Sequence, residues 1–308
     1  MPLRIAVIGV GHLGRHHARI LSSLPGAELV AVVDAIGGRA AEVATVNRTR
    51  ALTDYMELLG QVDAVTIAVP TELHREIALR FLEARVPVLV EKPMARSIGE
   101  ADELIAAAAK ARVALAVGHT ERFNPAVAVA RERLDNPRFI EVHRLGTFPE
   151  RSLDIDVVFD LMIHDLDVVL SLVKSEVESI EAVGVPVLTG RVDIANARLR
   201  FANGCIANLT ASRISRDRVR KIRFFQPLTY LSIDYAAQKV ELWRLVRGES
   251  GVLAIEGGDV DVVNEEPLKR ELADFIEAVA LRRRPMVDGE AGRRALALAE
   301  AITARMAS

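Results

Sequence analysis

Three groups of residues in this chain combine types and spacings suited to chemistry. The first is Gly9-x-Gly11-x-x-Gly14, with His12 and Leu13 ahead of its last glycine. It follows the apolar run Ile5-Ala6-Val7-Ile8 and leads into a helical pattern. Gly9 allows a tight turn, Gly11 lets the backbone approach a pyrophosphate, and Gly14 lets a helix pack closely on a strand. N–H groups at the helix start then face the phosphates. Asp34 ends a second apolar run, Leu29-Val30-Ala31-Val32-Val33, where a carboxylate accepts hydrogen bonds from the adenosine ribose hydroxyls. A 2′-phosphate there would meet a like charge, and Ala35-Ile36-Gly37-Gly38 supplies no cation before Arg39. The pattern predicts NAD rather than NADP.

The second group is Val88-Leu89-Val90-Glu91-Lys92-Pro93, which puts charges at the carboxyl end of an apolar strand. In doubly wound sheets that edge binds ligands. Lys92 is one of six lysines in a chain that otherwise draws positive charge from arginine. A desolvated lysine can release its proton, which an arginine in practice cannot. A strand end carrying a surface salt bridge is the other reading. In the third group, Asp160-Leu-Met-Ile-His164, a spacing of four puts both side chains on one face of a helix. Asp160 can there hold a substrate hydroxyl or orient His164, the side chain most readily poised as a base near neutral pH. A solvated polar stripe of Asp160, His164, Asp165 and Asp167 would show the same spacing.

Two polar clusters stand at further strand ends. Gly118-His119-Thr120-Glu121-Arg122-Phe123-Asn124-Pro125 either lines a crevice between domains or caps the next helix, and Thr71 and His74 follow Ala68-Val69-Pro70 one strand earlier. His16 and His17 are expected at the surface of the first helix, and His143 on a strand beside Arg144. No His/Cys/Asp/Glu set has metal-ligand spacing, so no metal is expected. A Gly-x-Ser-x-Gly elbow is absent, which leaves acyl transfer unsupported.

The elements that must carry these residues read as an α/β chain. Strands are predicted near 3–8, 28–33, 63–69, 86–90 and 113–117, each an almost unbroken apolar run that suits a parallel sheet buried on both faces. Helices near 12–23, 38–45, 72–84 and 97–111 alternate with them, the last opened by a Ser97/Glu100 capping box. This makes residues 1–120 a Rossmann domain with a doubly wound parallel sheet. Residues 121–308 read as a second α/β domain: a helix from Asn124-Pro125 to about Leu134, a strand near 138–148, a helix near 156–173, then strands over 176–256. Polar and apolar positions alternate in those strands, as in a sheet covered on one face. Helices at about 266–283 and 289–306 close the chain, and the last is a candidate to pack back on the first domain.

Half of the 308 residues are apolar and the formal net charge is −2, which suggests neither a nucleic-acid footprint nor an acidic tail. A single cysteine, Cys205, excludes an intrachain disulfide framework and fits a reducing cytoplasm. The opening Met1-Pro2-Leu3-Arg4 passes directly into the first strand, unlike a signal peptide, and no apolar stretch reaches membrane-spanning length.

Taken in order, Gly9-Val-Gly-His-Leu-Gly14, Pro70-Thr-Glu-Leu-His74, Glu91-Lys-Pro93 and Asp160-x-x-x-His164 resemble the Gfo/Idh/MocA oxidoreductase family over essentially the whole chain. The resemblance implies a C-terminal domain built on an open-faced, mostly antiparallel sheet, often used for homodimers or homotetramers. It further implies a cis Lys92–Pro93 bond, with nicotinamide and substrate between the domains. Cofactor contacts implied are Gly9, Gly11, His12, Leu13, Gly14, Asp34, Pro70, Thr71, His74, Glu91, Lys92 and Arg122. Substrate contacts implied are Lys92, Arg122, Asn124, Arg151, Asp160 and His164, with Lys92, Asp160 and His164 catalytic. Glu121–Val127, Asp156–Asp167, Arg220–Pro227 and Ser232–Tyr235 look most like family members that oxidise the 3-hydroxyl of UDP-N-acetylglucosamine. Arg122, Arg144, Arg151, Arg213 and Arg216 are then candidates to meet a diphosphate. Oxidation of inositol, glucose or UDP-N-acetylglucosaminuronate is an alternative, as is a non-catalytic dinucleotide sensor on the same fold.

Overall fold

A computed structural model describes residues 1–148, 155–247 and 252–306. The chain divides into two compact units. The first contains Met1–Thr120 and Glu266–Arg293, the second Glu121–Glu265 and Arg294–Ser308.

The first unit is built on six parallel strands: β1 (Leu3–Ile8), β2 (Ala27–Val33), β3 (Arg50–Leu52), β4 (Ala64–Ile67), β5 (Val88–Glu91) and β6 (Leu115–Gly118). Their spatial order is β3-β2-β1-β4-β5-β6, a Rossmann sheet. The order reverses between β1 and β4, and ligands of such sheets bind beyond the strand ends at that switch point. β4, β5 and β6 are buried along their whole length, which explains their unbroken apolar runs. β3 has only three residues, none of them buried, and so leaves no apolar run in the sequence to find it by.

Helices α1 (Gly14–Leu21), α2 (Gly37–Asn47), α3 (His74–Glu83) and α4 (Ile98–Ala111) alternate with these strands. At the start of α4 the Ser97 hydroxyl accepts from the Glu100 N–H at 3.3 Å. The Glu100 carboxylate accepts from the Arg96 N–H at 3.0 Å, so the return half of the capping box goes one residue upstream.

The second unit contains α5 (Pro125–Arg133), β7 (Phe139–Leu145), α6 (Ile163–Leu172), β8 (Val177–Val185), β9 (Ile194–Phe201), β10 (Ile206–Ser212), β11 (Val219–Gln226), β12 (Thr229–Asp234), β13 (Lys239–Arg247) and β14 (Leu253–Val260). These eight strands form one sheet in the order β14-β13-β12-β11-β7-β10-β9-β8, antiparallel except where β7 meets β10. Alternate residues such as Ile140, Val142, Leu199, Leu209, Ile222 and Phe224 are buried with Ala126, Val127, Ile163 and Leu166 from α5 and α6. The opposite face exposes Phe225, Trp243 and Leu245.

Two features depart from the sequence reading. The chain after residue 265 does not stay in the second unit. Helix α7 (Pro267–Leu281) joins the first, because Leu272, Phe275 and Ile276 share a core with Ile5, Val7, Ala18 and Leu21. Helix α8 (Gly289–Met306) is divided between the units at Arg293/Arg294, and its Leu298, Ala299 and Ile302 belong to the second core. The predicted helix near 156–173 is also not uniform: Val158–Met162 is a π-helical turn, and α6 proper starts at Ile163.

Candidate active site

In the first unit the three fingerprint glycines do different work. Gly9 has φ +82°, and a Cβ on it would lie 2.7 Å from the Ala68 carbonyl oxygen. A Cβ on Gly14 would lie 1.8 Å from the Gly9 carbonyl oxygen, so helix and turn pack backbone to backbone. Gly11 is different, because a Cβ there would meet only Arg39 Nη1, at 3.9 Å. Its backbone is therefore open to approach from outside. No side chain caps the N-terminus of α1, whose cap residue is Leu13, and no acidic residue sits in its first turn. Those N–H groups suit a phosphate.

Asp34 is buried beside this turn. Its Oδ2 accepts from the Val10 N–H at 3.1 Å and its Oδ1 from the Ile36 N–H at 2.9 Å. Arg39 Nη1 lies 3.2 Å from Oδ2, so the cation nearest in sequence is also an ion partner. His12 Nδ1 lies 3.2 Å from Arg15 Nη2, and its ring is edge-on to that of His16.

Glu91, Lys92 and Pro93 follow β5, with a cis Lys92–Pro93 bond. The Glu91 carboxylate is buried and spent inside the fold. Oε1 lies 3.0 Å from His17 Nε2 on α1, and Oε2 accepts from the Lys92 N–H at 3.2 Å. A Cβ on Gly118 would come within 2.8 Å of this carboxyl carbon, so β6 must present glycine beside it. His17 is therefore not a surface residue but fully buried, and it connects α1 to the strand end that carries Lys92. Lys92 itself is half-buried.

Pro70 is exposed and Thr71 half-exposed at the end of the β4 segment. His74 is buried, with Nδ1 2.9 Å from the Pro93 carbonyl oxygen and Nε2 2.9 Å from that of Val69. Both ring nitrogens face backbone acceptors, so His74 would act on a cofactor only by holding the turns after β4 and β5. Burial is the main cause of its lowered pKa, and the two carbonyls oppose it. Thr120 donates to Glu271 Oε2 at 3.1 Å.

In the second unit, Asp160 lies within the π-helical turn and His164 in the first turn of α6. π turns are rare and often mark functional sites. Both side chains are half-buried, whereas Val158, Met162, Ile163 and Leu166 around them are buried in the core. The Asp160 N–H donates to the Asp156 carbonyl at 3.1 Å, and Asp156 Oδ1 accepts from the Val192 N–H at 3.0 Å, which anchors the turn.

The acids that follow do not form a solvated stripe. Asp165 is buried and takes a two-pronged contact from Arg144, Nε to Oδ2 at 2.7 Å and Nη2 to Oδ1 at 2.9 Å. Arg144 Nη1 also reaches Glu121 Oε1 at 3.1 Å, and its guanidinium lies 5.4 Å from the Tyr235 ring centroid. Burial works against the charge on Arg144, but Asp165 and Glu121 more than offset it and raise its pKa. Asp167 is buried too, and burial pushes its carboxyl up to about 7 against the pull of Arg122. Arg122 Nη1 lies 3.3 Å from Asp167 Oδ1.

Several residues expected at the site thus have partners inside the fold. Asn124 caps α5, accepting from the Ala126 N–H at 3.1 Å, and its amide donates to the Tyr235 carbonyl at 3.0 Å. Arg213 is buried on Asp193, Nε to Oδ1 at 2.9 Å, and Nη1 donates to the Ile155 carbonyl at 2.7 Å. Of the arginines expected to meet a diphosphate, Arg122, Arg144 and Arg213 are thus held by buried carboxylates. Arg216 is exposed, and Arg151 lies outside the described residues. The sequence signals for these pairs are a charged residue, Arg144, at an inward position near a strand end and the acids Asp165 and Asp167 among apolar neighbours, whose pairing local pattern does not reveal.

A model of the oxidoreductase family with an NAD-binding Rossmann fold matches residues 3–119, and a GFO/IDH/MocA C-terminal domain model matches residues 103–225. UDP-N-acetylglucosamine 3-dehydrogenase of Acidithiobacillus ferrooxidans is 41% identical over 299 residues, which span 96% of this chain and 95% of that protein. The chain belongs to the Gfo/Idh/MocA oxidoreductase family. It is an NAD-dependent oxidoreductase, and the open backbone at Gly11, the uncapped α1 and Asp34 fit that cofactor. A solved structure of the A. ferrooxidans enzyme matches with a TM-score of 0.93 at 40% identity, covering 99% of this chain and 98% of that one. The NAD(+)-dependent scyllo-inositol 2-dehydrogenase of Bacillus subtilis is 32% identical over 69% of this chain and 68% of that protein. Levoglucosan dehydrogenase in complex with NADH, at 19% identity and a TM-score of 0.90, shares the fold. Among the described residues, no helix is long and apolar enough to cross a membrane.

Proposed function

We propose that this enzyme oxidises the 3-hydroxyl of a UDP-N-acetylhexosamine, with UDP-N-acetylglucosamine as its substrate. The observation that carries this reading is the 41% identity to the A. ferrooxidans UDP-N-acetylglucosamine 3-dehydrogenase along nearly the full length of both chains. The presence of Lys92, Asp160 and His164 supports catalysis over dinucleotide sensing, which needs none of them.

In this reading the sugar loses hydride from C3 and a proton from O3, leaving a ketone. NAD, when bound, accepts the hydride. His164 takes the hydroxyl proton, a task suited to a half-buried imidazole. The Lys92 ammonium is assigned to a substrate oxygen, and the Lys92 backbone N–H is held by the buried Glu91 carboxylate that also meets His17. Asp160 accepts a hydrogen bond from a neighbouring sugar hydroxyl. NADH formation over a panel of free and UDP-linked sugars tests the assignment. UDP-N-acetylglucosamine should give the highest kcat/KM, with UDP a competitive inhibitor against it. Turnover of free inositol without inhibition by UDP would instead favour the function of the B. subtilis relative.

The open sheet face supports self-association. The rings of Phe139, Phe225 and Tyr230 meet there in tilted contacts, 5.6 and 5.3 Å between centroids, and Trp243 pairs across from Tyr230. A monomer seldom leaves such a patch to water. Light scattering after gel filtration should report a dimer or tetramer, and Phe225→Asp with Trp243→Asp should shift it toward the monomer. A monomeric wild-type protein would refute this.

A further inference from the structure

A diphosphate needs a cation that is not already committed, and three of the arginines singled out by sequence are held by buried carboxylates. Arg220 is placed differently. It is the second residue of β11, directly across from Arg144 in the β11–β7 register. Side chains alternate along a strand, so Arg220 lies on the side of Ile222 and Phe224, the helix-covered side, and not on the open face. Its side chain is nevertheless exposed, and it makes no hydrogen bond or ion pair with any described residue.

Arg220 has no carboxylate bound to its own guanidinium among the described residues. Arg144 across the strand pair takes up both Asp165 and Glu121. Partial burial first, and then the positive charge of Arg144, lower the Arg220 pKa, with Glu121 and Asp165 opposing. A bound anion would offset the repulsion from Arg144.

The position also matters for the chemistry. Asp165, gripped by Arg144, is the residue next to His164 in α6. Arg220 stands one strand further, about 5 Å between backbones. Arg220 is therefore close to the His164 end of α6 within the same unit.

We propose that Arg220 binds the diphosphate of the nucleotide-sugar substrate. A guanidinium fork pairs bidentately with phosphate oxygens, which a neutral polyol cannot exploit. The proposal rests on the nucleotide-sugar reading above, and binding of UDP alone separates the two.

The test uses the full-length protein as wild type, Arg220→Gln and Arg220→Lys. UDP binding is measured by calorimetry, and steady-state kinetics with UDP-N-acetylglucosamine at saturating NAD. Arg220→Gln should weaken UDP binding and raise the KM for the UDP-sugar by roughly 10–100-fold, as expected for loss of a charge-assisted contact. The kcat, the KM for NAD and the Tm should stay near wild type, and Arg220→Lys should fall between. Equal UDP binding by wild type and Arg220→Gln, or no binding by either, would overturn the proposal. So would a loss of NAD affinity and Tm in Arg220→Gln, which would mark a structural role. UDP binding that depends on Arg220, without turnover of any UDP-sugar, would keep the diphosphate site and reject the substrate reading.

Discussion

His164→Ala is expected to lower kcat by about 10²–10⁴-fold, the usual contribution of a positioned general base. NAD affinity should be nearly unchanged, because the cofactor fingerprint and Asp34 belong to the first unit and His164 to the second. The side chain is half-buried while the core of its helix is carried by Ile163, Leu166 and Val169, so the variant should fold. Lys92→Ala should be at least as damaging, since it removes a charge assigned to the substrate. Asp160→Asn keeps the shape and one acceptor, and its loss should be smaller and weighted toward KM. The measurements are kcat and KM with the preferred sugar, and NAD binding by fluorescence titration. Near-full turnover in a folded His164→Ala protein that still binds NAD would remove His164 as the base and leave Lys92 in that role.

Gly14→Ala should abolish NAD binding and lower the Tm markedly. The added Cβ would sit 1.8 Å from the Gly9 carbonyl oxygen and 2.8 Å from its carbon, and neither atom belongs to a side chain that can swing away. The turn and α1 must separate, at a cost at or above the upper end of the roughly 1–3 kcal/mol typical of overpacking. The same shift moves the helix N-terminus from its place beside the turn. Gly11→Ala is the informative control, since its Cβ would have only Arg39 Nη1 nearby, at 3.9 Å. That variant should keep its Tm and lose NAD affinity, because the added methyl stands where the cofactor backbone approaches. Thermal unfolding and NAD titration of both variants check the pair. A Gly14→Ala protein with wild-type Tm and NAD affinity would contradict the packing argument.

The sequence by itself determined the fold class and the cofactor. Continuous apolar runs report strands buried on both faces, alternation reports a sheet with one open face, and glycines bracketed by a strand and a helix report a nucleotide turn. All of these signals are local, carried within a few residues of chain. Elements without such a signal were missed. β3 is three residues long and unburied, and the π turn at Val158–Met162 leaves the apolar spacing of a helix almost unaltered.

Only the tertiary structure decided which polar residues are available. His17 on an amphipathic helix looks solvated until Glu91, 74 positions away, is seen to meet it. Arg144 meets Asp165 across 21 positions, Arg122 meets Asp167 across 45, and Arg213 meets Asp193 across 20. A buried arginine and a ligand-binding one share the same letter and similar neighbours in the chain. They differ in whether the fold supplies a carboxylate within about 3 Å, which is set by packing between distant segments and not by local pattern. The same holds for α7, whose helical period was legible but whose partner was not. It packs on the first core because Leu272, Phe275 and Ile276 fit beside Ile5 and Ala18, and nothing within its own fifteen residues names that surface.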